Sequence, residues 1–177
     1  MNILDELDAD IENETLDEKR LGRLNRYRNN FVLCPTNFKF ERELPDLTWR
    51  TFKHCEQDHE LPDEQGVYMI SICIDSQKLP TNSYVLYVGK AGDLGTNNTI
   101  KKRYRNYVNF SGYKNRPRVK RMLELWSGHL NYSYARVPAN SSTGDIEETL
   151  TTIFVPPYNT ADFSAELKDL LKGLNIL

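Results

Sequence analysis

Two runs rich in β-branched and aromatic residues constrain this chain most: "GVYMISICID" at 66–75 and "SYVLYVG" at 83–89, separated by the polar "SQKLPTN". Each has the length and composition of a strand, and Pro80 with its polar neighbours supplies turn chemistry. An antiparallel hairpin is the simplest connection. A turn centred at 77–78 would set Tyr68 almost opposite Tyr87, placing two phenols side by side on one sheet face.

The segments after the hairpin must cover that sheet. Thr99 can cap a helix through "IKKRYRNYV", with Ile100, Tyr104 and Val108 as its core stripe and Arg103 and Tyr107 one turn apart on the adjoining edge. Pro117 suits the first turn of a second helix whose apolar positions are Val119, Met122, Leu123 and Trp126, closed by Gly128. "HLNYSYARV" alternates Leu130, Tyr132 and Tyr134 as a third strand. Asp145 with Glu148 can cap "IEETLTTIF", which buries Ile146, Leu150, Ile153 and Phe154 before Pro156 and Pro157 stop it. A last helix, "ADFSAELKDLLKGL", offers Phe163, Leu167, Leu170, Leu171 and Leu174 to the core. Upstream, Thr15 and Glu18 have capping-box spacing for a helix over about 15–29. Residues 31–65 are broken by Pro35, Pro45 and Pro62, with "DLTWRTF" as a short strand at most. The order predicts an α+β fold, a small three-stranded antiparallel or mixed β-sheet flanked by helices. An N-terminal extension occupies residues 1–61 and the main domain 62–177.

Charge is unevenly placed. The net charge of −2 hides eight acids and two bases in residues 1–20, a net of −6, which leaves +4 for the remainder. Much of the positive charge lies in "KKRYR" at 101–105 and "RPRVKR" at 116–121. Basic residues mixed with aromatics can form a nucleic-acid footprint, so Lys101, Lys102, Arg105, Arg116, Arg118, Lys120 and Arg121 are candidate nucleic-acid-binding residues. No apolar run reaches the ~18 residues of a membrane span, and the acidic start lacks the features of a signal peptide. Cys34, Cys55 and Cys73 are too scattered for a disulfide framework, which suits a reducing cytoplasm.

The sequence argues against three familiar chemistries. "GKAGDLG" lacks both the upstream glycine of a Walker loop and the G-x-G-x-x-G spacing of a dinucleotide loop. Cys34, His54, Cys55 and His59 form one irregular cluster rather than the paired short spacings of zinc ligands. No histidine is recognisably placed beside a serine or cysteine nucleophile.

A further constellation spans residues 62–160: "GVY" opening the first strand, "YVG" closing the second, Arg103 on the next helix, Glu147 on a later helix and Asn159 after the double proline. This pattern resembles the GIY-YIG endonuclease superfamily, and "YVGKA" followed by a lysine pair, an arginine and a tyrosine four residues on is most similar to the N-terminal nuclease domain of UvrC. Glu147 precedes Asn159 by twelve residues, the family's interval, whereas Glu148 precedes it by eleven. The lysine pair before Arg103 favours it over Arg105. The loop "GDLGTNNTI" is longer than in UvrC.

The resemblance implies a metal-dependent endonuclease that hydrolyses DNA phosphodiester bonds. It implies Glu147 as the protein ligand of a single Mg²⁺, with Mn²⁺ able to substitute, and Tyr68 as general base. Lys90 and Arg103 are the cations that would lower the Tyr68 pKa, and Arg103 would also grip the scissile phosphate. Tyr87 and Tyr107 would order the water and hydrogen-bond the phosphate, and Asn159 would hold backbone or substrate. Cutting both strands would require a homodimer, a partner protein or two successive events. The alternative is a non-catalytic nucleic-acid-binding or partner-recruited module on the same scaffold, with the acidic N-terminus as a docking segment.

Overall fold

The computed structural model describes residues 16–29, 31–55, 60–76, 78–159, 163 and 165–173. The acidic segment 1–14, Thr15, Gln77 of the hairpin turn, His59, the Leu170 side chain and Leu174, all of which carried expectations, lie outside the described residues. Contacts divide the chain into a unit of residues 1–30 and a compact unit of 31–177. Helix α1 (Leu16–Tyr27) is the described helix of the first unit.

In the second unit a 3-10 helix (Pro35–Glu43) precedes strands β1 (Trp49–Lys53), β2 (Gly66–Ser76) and β3 (Leu79–Ala91). Helices α2 (Ile100–Val108), α3 (Phe110–Tyr113) and α4 (Pro117–Leu125) follow, then β4 (Leu130–Arg136), α5 (Thr143–Phe154) and α6 (Ala165–Gly173). The sheet has four strands rather than three, in the order β1-β4-β2-β3, and every neighbouring pair is antiparallel. The fourth strand, "WRTFK", falls on the "DLTWRTF" stretch read as a short-strand candidate, and pairs with β4 from Trp49↔Ala135 to Lys53↔Asn131. It is a five-residue edge strand with only Trp49 and Phe52 half-buried, too short and too polar to separate from a loop by pattern.

The hairpin register also differs from expectation. The turn falls where predicted, with Ser76 opposite Leu79, but two irregularities each shift the pairing by one residue. Tyr68 therefore faces Gly89, and Tyr87 faces Ile70, so the two phenols are diagonal neighbours on one face. A bulge adds a residue to one strand and cannot be read from alternation alone.

Two apolar layers cover the sheet. Tyr68, Ile70, Leu86, Tyr87 and Tyr132 pack against Ile100, Tyr104 and Tyr107 of α2 and Val119, Met122 and Leu123 of α4. Val67, Val88 and Ala135 pack against Ile146 and Leu150 of α5. Tyr107 replaces Val108 in the α2 stripe: Tyr107 is buried and Val108 is 44% exposed. Ser142, not Asp145, caps α5, its hydroxyl accepting from the Asp145 amide at 3.2 Å, which leaves Asp145 in the first turn against the helix dipole. Among the described residues no helix is long and apolar enough to cross a membrane, and the three cysteines are free thiols.

Candidate active site

The end of β3 organises the site. β3 is an edge strand, so the amide and carbonyl of Val88 that face away from β2 need another partner. Asn159 provides it: its Nδ2 donates to the Val88 carbonyl and its Oδ1 accepts from the Val88 amide, both at 2.8 Å. The Tyr158 amide donates to the Leu86 carbonyl just upstream. Asn159 is 1% exposed, and these bonds hold backbone, one of the two roles expected of it.

On the α2 face, Gly89 makes room for the Tyr68 ring, which crosses the strand there. Thr99 caps α2 by accepting from the Lys102 amide and donates its own hydroxyl to Asp63 Oδ1 at 2.6 Å. That anchoring aims Arg103 and Tyr107 at the β3 end. The Tyr68 and Tyr107 hydroxyls share a hydrogen bond of 2.7 Å. The Tyr68 ring stacks on Tyr132 at 5.3 Å and lies 6.4 Å from Tyr87. Arg103 donates from Nε to the Lys90 carbonyl at 3.2 Å. Arg116, immediately before α4, donates from Nη2 to the Tyr87 hydroxyl at 3.2 Å and lies over the Tyr107 ring at 5.3 Å.

The electrostatics of Tyr68 run opposite to expectation. Its pKa is held well above the usual phenol value, first by complete burial and then by the neighbouring Tyr107 and Tyr87 phenols; Arg103 pulls the other way but does not prevail. Lys90 pairs with Val67 in the ladder, so its side chain belongs to the opposite, α5, side rather than beside the phenol. Burial works against the Arg103 charge, yet the Tyr68, Tyr107 and Tyr87 phenols outweigh it and keep this guanidinium firmly protonated.

On that α5 side the Lys90 ammonium lies 3.1 Å from Asp93 Oδ2 and 3.9 Å from Glu147 Oε2. The other Asp93 oxygen accepts the Thr143 amide at 3.0 Å, at the start of α5. One carboxylate thus ties the end of β3 to the helix that carries Glu147. Hydrogen bonding from Lys90 chiefly holds the Asp93 carboxyl below its ordinary pKa. The long loop is pinned as well: Gln65 accepts from the Gly95 amide and donates to the Pro138 and Ser141 carbonyls.

The predicted residues therefore form two clusters that meet at Lys90. Its carbonyl holds Arg103 beside the phenols, and its ammonium sits between two carboxylates. That second cluster fits a hard divalent cation, since Asp93 and Glu147 already gather oxygens around a positive charge and their side chains are 32% and 16% exposed. Among the described residues no three His, Cys, Asp or Glu side chains gather as metal ligands. Mg²⁺ retains several waters and takes only one or two carboxylates, so the donor set is adequate.

The basic residues divide differently. Lys101, Lys102, Arg105, Arg118 and Arg121 are exposed, Lys102 donates to the Asn97 carbonyl, and Lys120 pairs with Glu124 at 3.7 Å. Arg116 leaves this group for the phenol cluster. Asp93 and Tyr132 were not anticipated. Asp93 had a visible signal, an acid three residues after Lys90 in a turn; Tyr132 had none beyond strand alternation. Comparison of the chain with protein-family models, curated proteins and solved structures finds no match.

Proposed function

We propose that this protein is a metal-dependent endonuclease that hydrolyses DNA phosphodiester bonds with one divalent cation. The observation that supports it most is the meeting of a phenol–guanidinium cluster and a lysine–carboxylate cluster at the end of one edge strand. Phosphodiester hydrolysis needs a proton acceptor for water, cations against the phosphate, and relief of charge on the leaving oxygen. Tyr68 takes the proton, Tyr107 orients the Tyr68 hydroxyl through their shared hydrogen bond, and Arg103 grips the scissile phosphate. Glu147 would hold Mg²⁺, or Mn²⁺ in its place, and Asp93 would steady Lys90 beside it. The ion when bound would supply positive charge against the phosphate and the departing oxygen. Asn159 keeps β3 fixed while these groups act. DNA as substrate rests on the resemblance to GIY-YIG enzymes, as does a cytoplasmic setting on the free thiols. One site per chain nicks one strand, and a second chain or a partner protein completes a double-strand cut.

Burial of the Tyr68 phenol favours a second reading, a nucleic-acid-binding module that does not cleave. Supercoiled plasmid incubated with Mg²⁺, Mn²⁺ or EDTA separates the two. Nicking that needs metal and vanishes in Glu147→Ala supports the nuclease; plasmid bound but uncut under all three conditions supports the binding module.

A further inference from the structure

We propose that Arg116 is a second phosphate-binding residue of the site, acting beside Arg103 rather than as part of an exposed basic helix face. The proposal rests on the nuclease reading for its substrate, a nucleic-acid backbone, but not for the anion-binding geometry itself. Arg103 and Arg116 come from separate elements, are both half-buried, and both approach the Tyr87 and Tyr107 phenols. Among the described residues neither pairs with a carboxylate. Arg103 donates to a carbonyl, and Arg116 donates to a phenol and lies over two rings. A partly buried cation is ordinarily matched by a carboxylate, because desolvation penalises an unpaired charge. Two such cations in one cluster repel each other, and phenol oxygens with ring faces compensate only in part.

An anion completes this arrangement. Each guanidinium carries five N–H donors in a rigid fork; Arg103 also bonds the Tyr68 hydroxyl and Arg116 the Tyr107 hydroxyl, so each spends two donors here and keeps the others for phosphate oxygens. Accessibility points the same way. Tyr68, Tyr87 and Tyr107 are at most 7% exposed, so the more exposed Arg103 and Arg116 are the residues an entering ligand meets first. Bound to a phosphate, Arg116 would also keep the Tyr87 hydroxyl turned towards it.

The test measures binding of a short DNA duplex in EDTA over a range of salt, and plasmid nicking in Mg²⁺. It compares wild type, Arg116→Gln, Arg116→Lys and Arg50→Gln, a charge-matched change on the exposed part of β1. Arg116→Gln is expected to weaken duplex binding and to reduce the slope of log K against log salt by about one. Arg116→Lys should keep the slope but lose affinity with the fork, and remains informative if the Gln variant does not fold; Arg50→Gln should change neither. Wild-type affinity and slope in Arg116→Gln, or equal losses in Arg50→Gln, would overturn the proposal even where the plasmid is nicked. Absence of duplex binding by the wild type overturns it too. An Arg116-dependent slope without any nicking would leave Arg116 as an anion ligand and remove the nuclease.

Discussion

Gly89→Ala tests the packing on which the site depends. A Cβ at this position would lie 2.4 Å from Tyr68 Oη, 2.5 Å from Cζ and 2.9 Å from Cε2. Favourable carbon contacts begin near ~3.5 Å, so the phenol must withdraw by about 1 Å. It has nowhere to go: Tyr132 stacks on it, the Tyr107 hydroxyl holds it at 2.7 Å, and it is fully buried. Overpacking of this kind costs roughly 1–3 kcal/mol, and breaking a hydrogen bond between two buried hydroxyls costs roughly 1–3 kcal/mol more. Gly89 has no positive φ, so alanine would otherwise stabilise by about 0.4–1 kcal/mol through the unfolded chain. The net expectation is a loss of about 2–4 kcal/mol, read by urea unfolding. Tyr68→Phe removes the nearest atom and the same hydrogen bond, so the double variant should be less destabilised than the sum by about 1 kcal/mol. Stability within about 0.5 kcal/mol of wild type, or strict additivity, would refute the packing argument. On the nuclease reading the same substitution costs about 10²-fold in cleavage, because a 1 Å displacement moves the base.

Asn159→Asp places a carboxylate against the Val88 carbonyl that the amide now serves. Burial raises its folded-state pKa, so stability should be near wild type below the unfolded carboxyl pKa and fall as pH rises through the higher folded value; urea midpoints that do not depend on pH would contradict the clamp. If Tyr68 is the base, log kcat/KM should climb through pH 9.5 without a plateau, because burial holds the free-enzyme phenol above ~10. A plateau near pH 8 in cleavage assays would assign the base elsewhere. Asp93→Asn keeps an oxygen for the Thr143 amide but removes the charge facing Lys90, so the fold should lose no more than about 1 kcal/mol for a pair this exposed. The Mg²⁺ concentration at half-maximal nicking should rise several-fold, and an unchanged metal requirement would exclude Asp93 from the site.

Local periodicity made much of this fold readable. The buried Leu130, Tyr132 and Tyr134 of β4, and Val119, Met122 and Leu123 of α4, lie where alternation and helical spacing put them. Failures arose where pattern is silent. The β3 irregularities displaced Tyr87 by two residues relative to Tyr68, and no residue type marks them. β1, expected only as a short candidate, is held in the sheet by its pairing with β4, and on α2 Tyr107 rather than Val108 takes the buried position. The candidate residues were legible because their spacing is an order along the chain. Their division into two clusters was not, since it depends on the faces to which Tyr68 and Lys90 project.

That division bears on how a buried phenol could serve as a base. Ionising a phenol of pKa ~10 at pH 7 costs about 4 kcal/mol before any burial is counted. Arg103 is already in place and does not offset the effect of burial on Tyr68, so the remaining stabilisation has to arrive with the ligands. A unit positive charge about 4 Å away contributes about 4 kcal/mol at an effective dielectric of 20, enough to cancel the intrinsic cost. The lysine–carboxylate cluster is on the opposite side of the sheet, so a cation held there acts on Tyr68 from farther away and supplies only part of this. Tyr68 would stay neutral in the unliganded protein and ionise only once metal and substrate are both bound. kcat, which reports the loaded complex, should therefore level off at lower pH than kcat/KM, and identical profiles for the two would show that the clusters are not coupled.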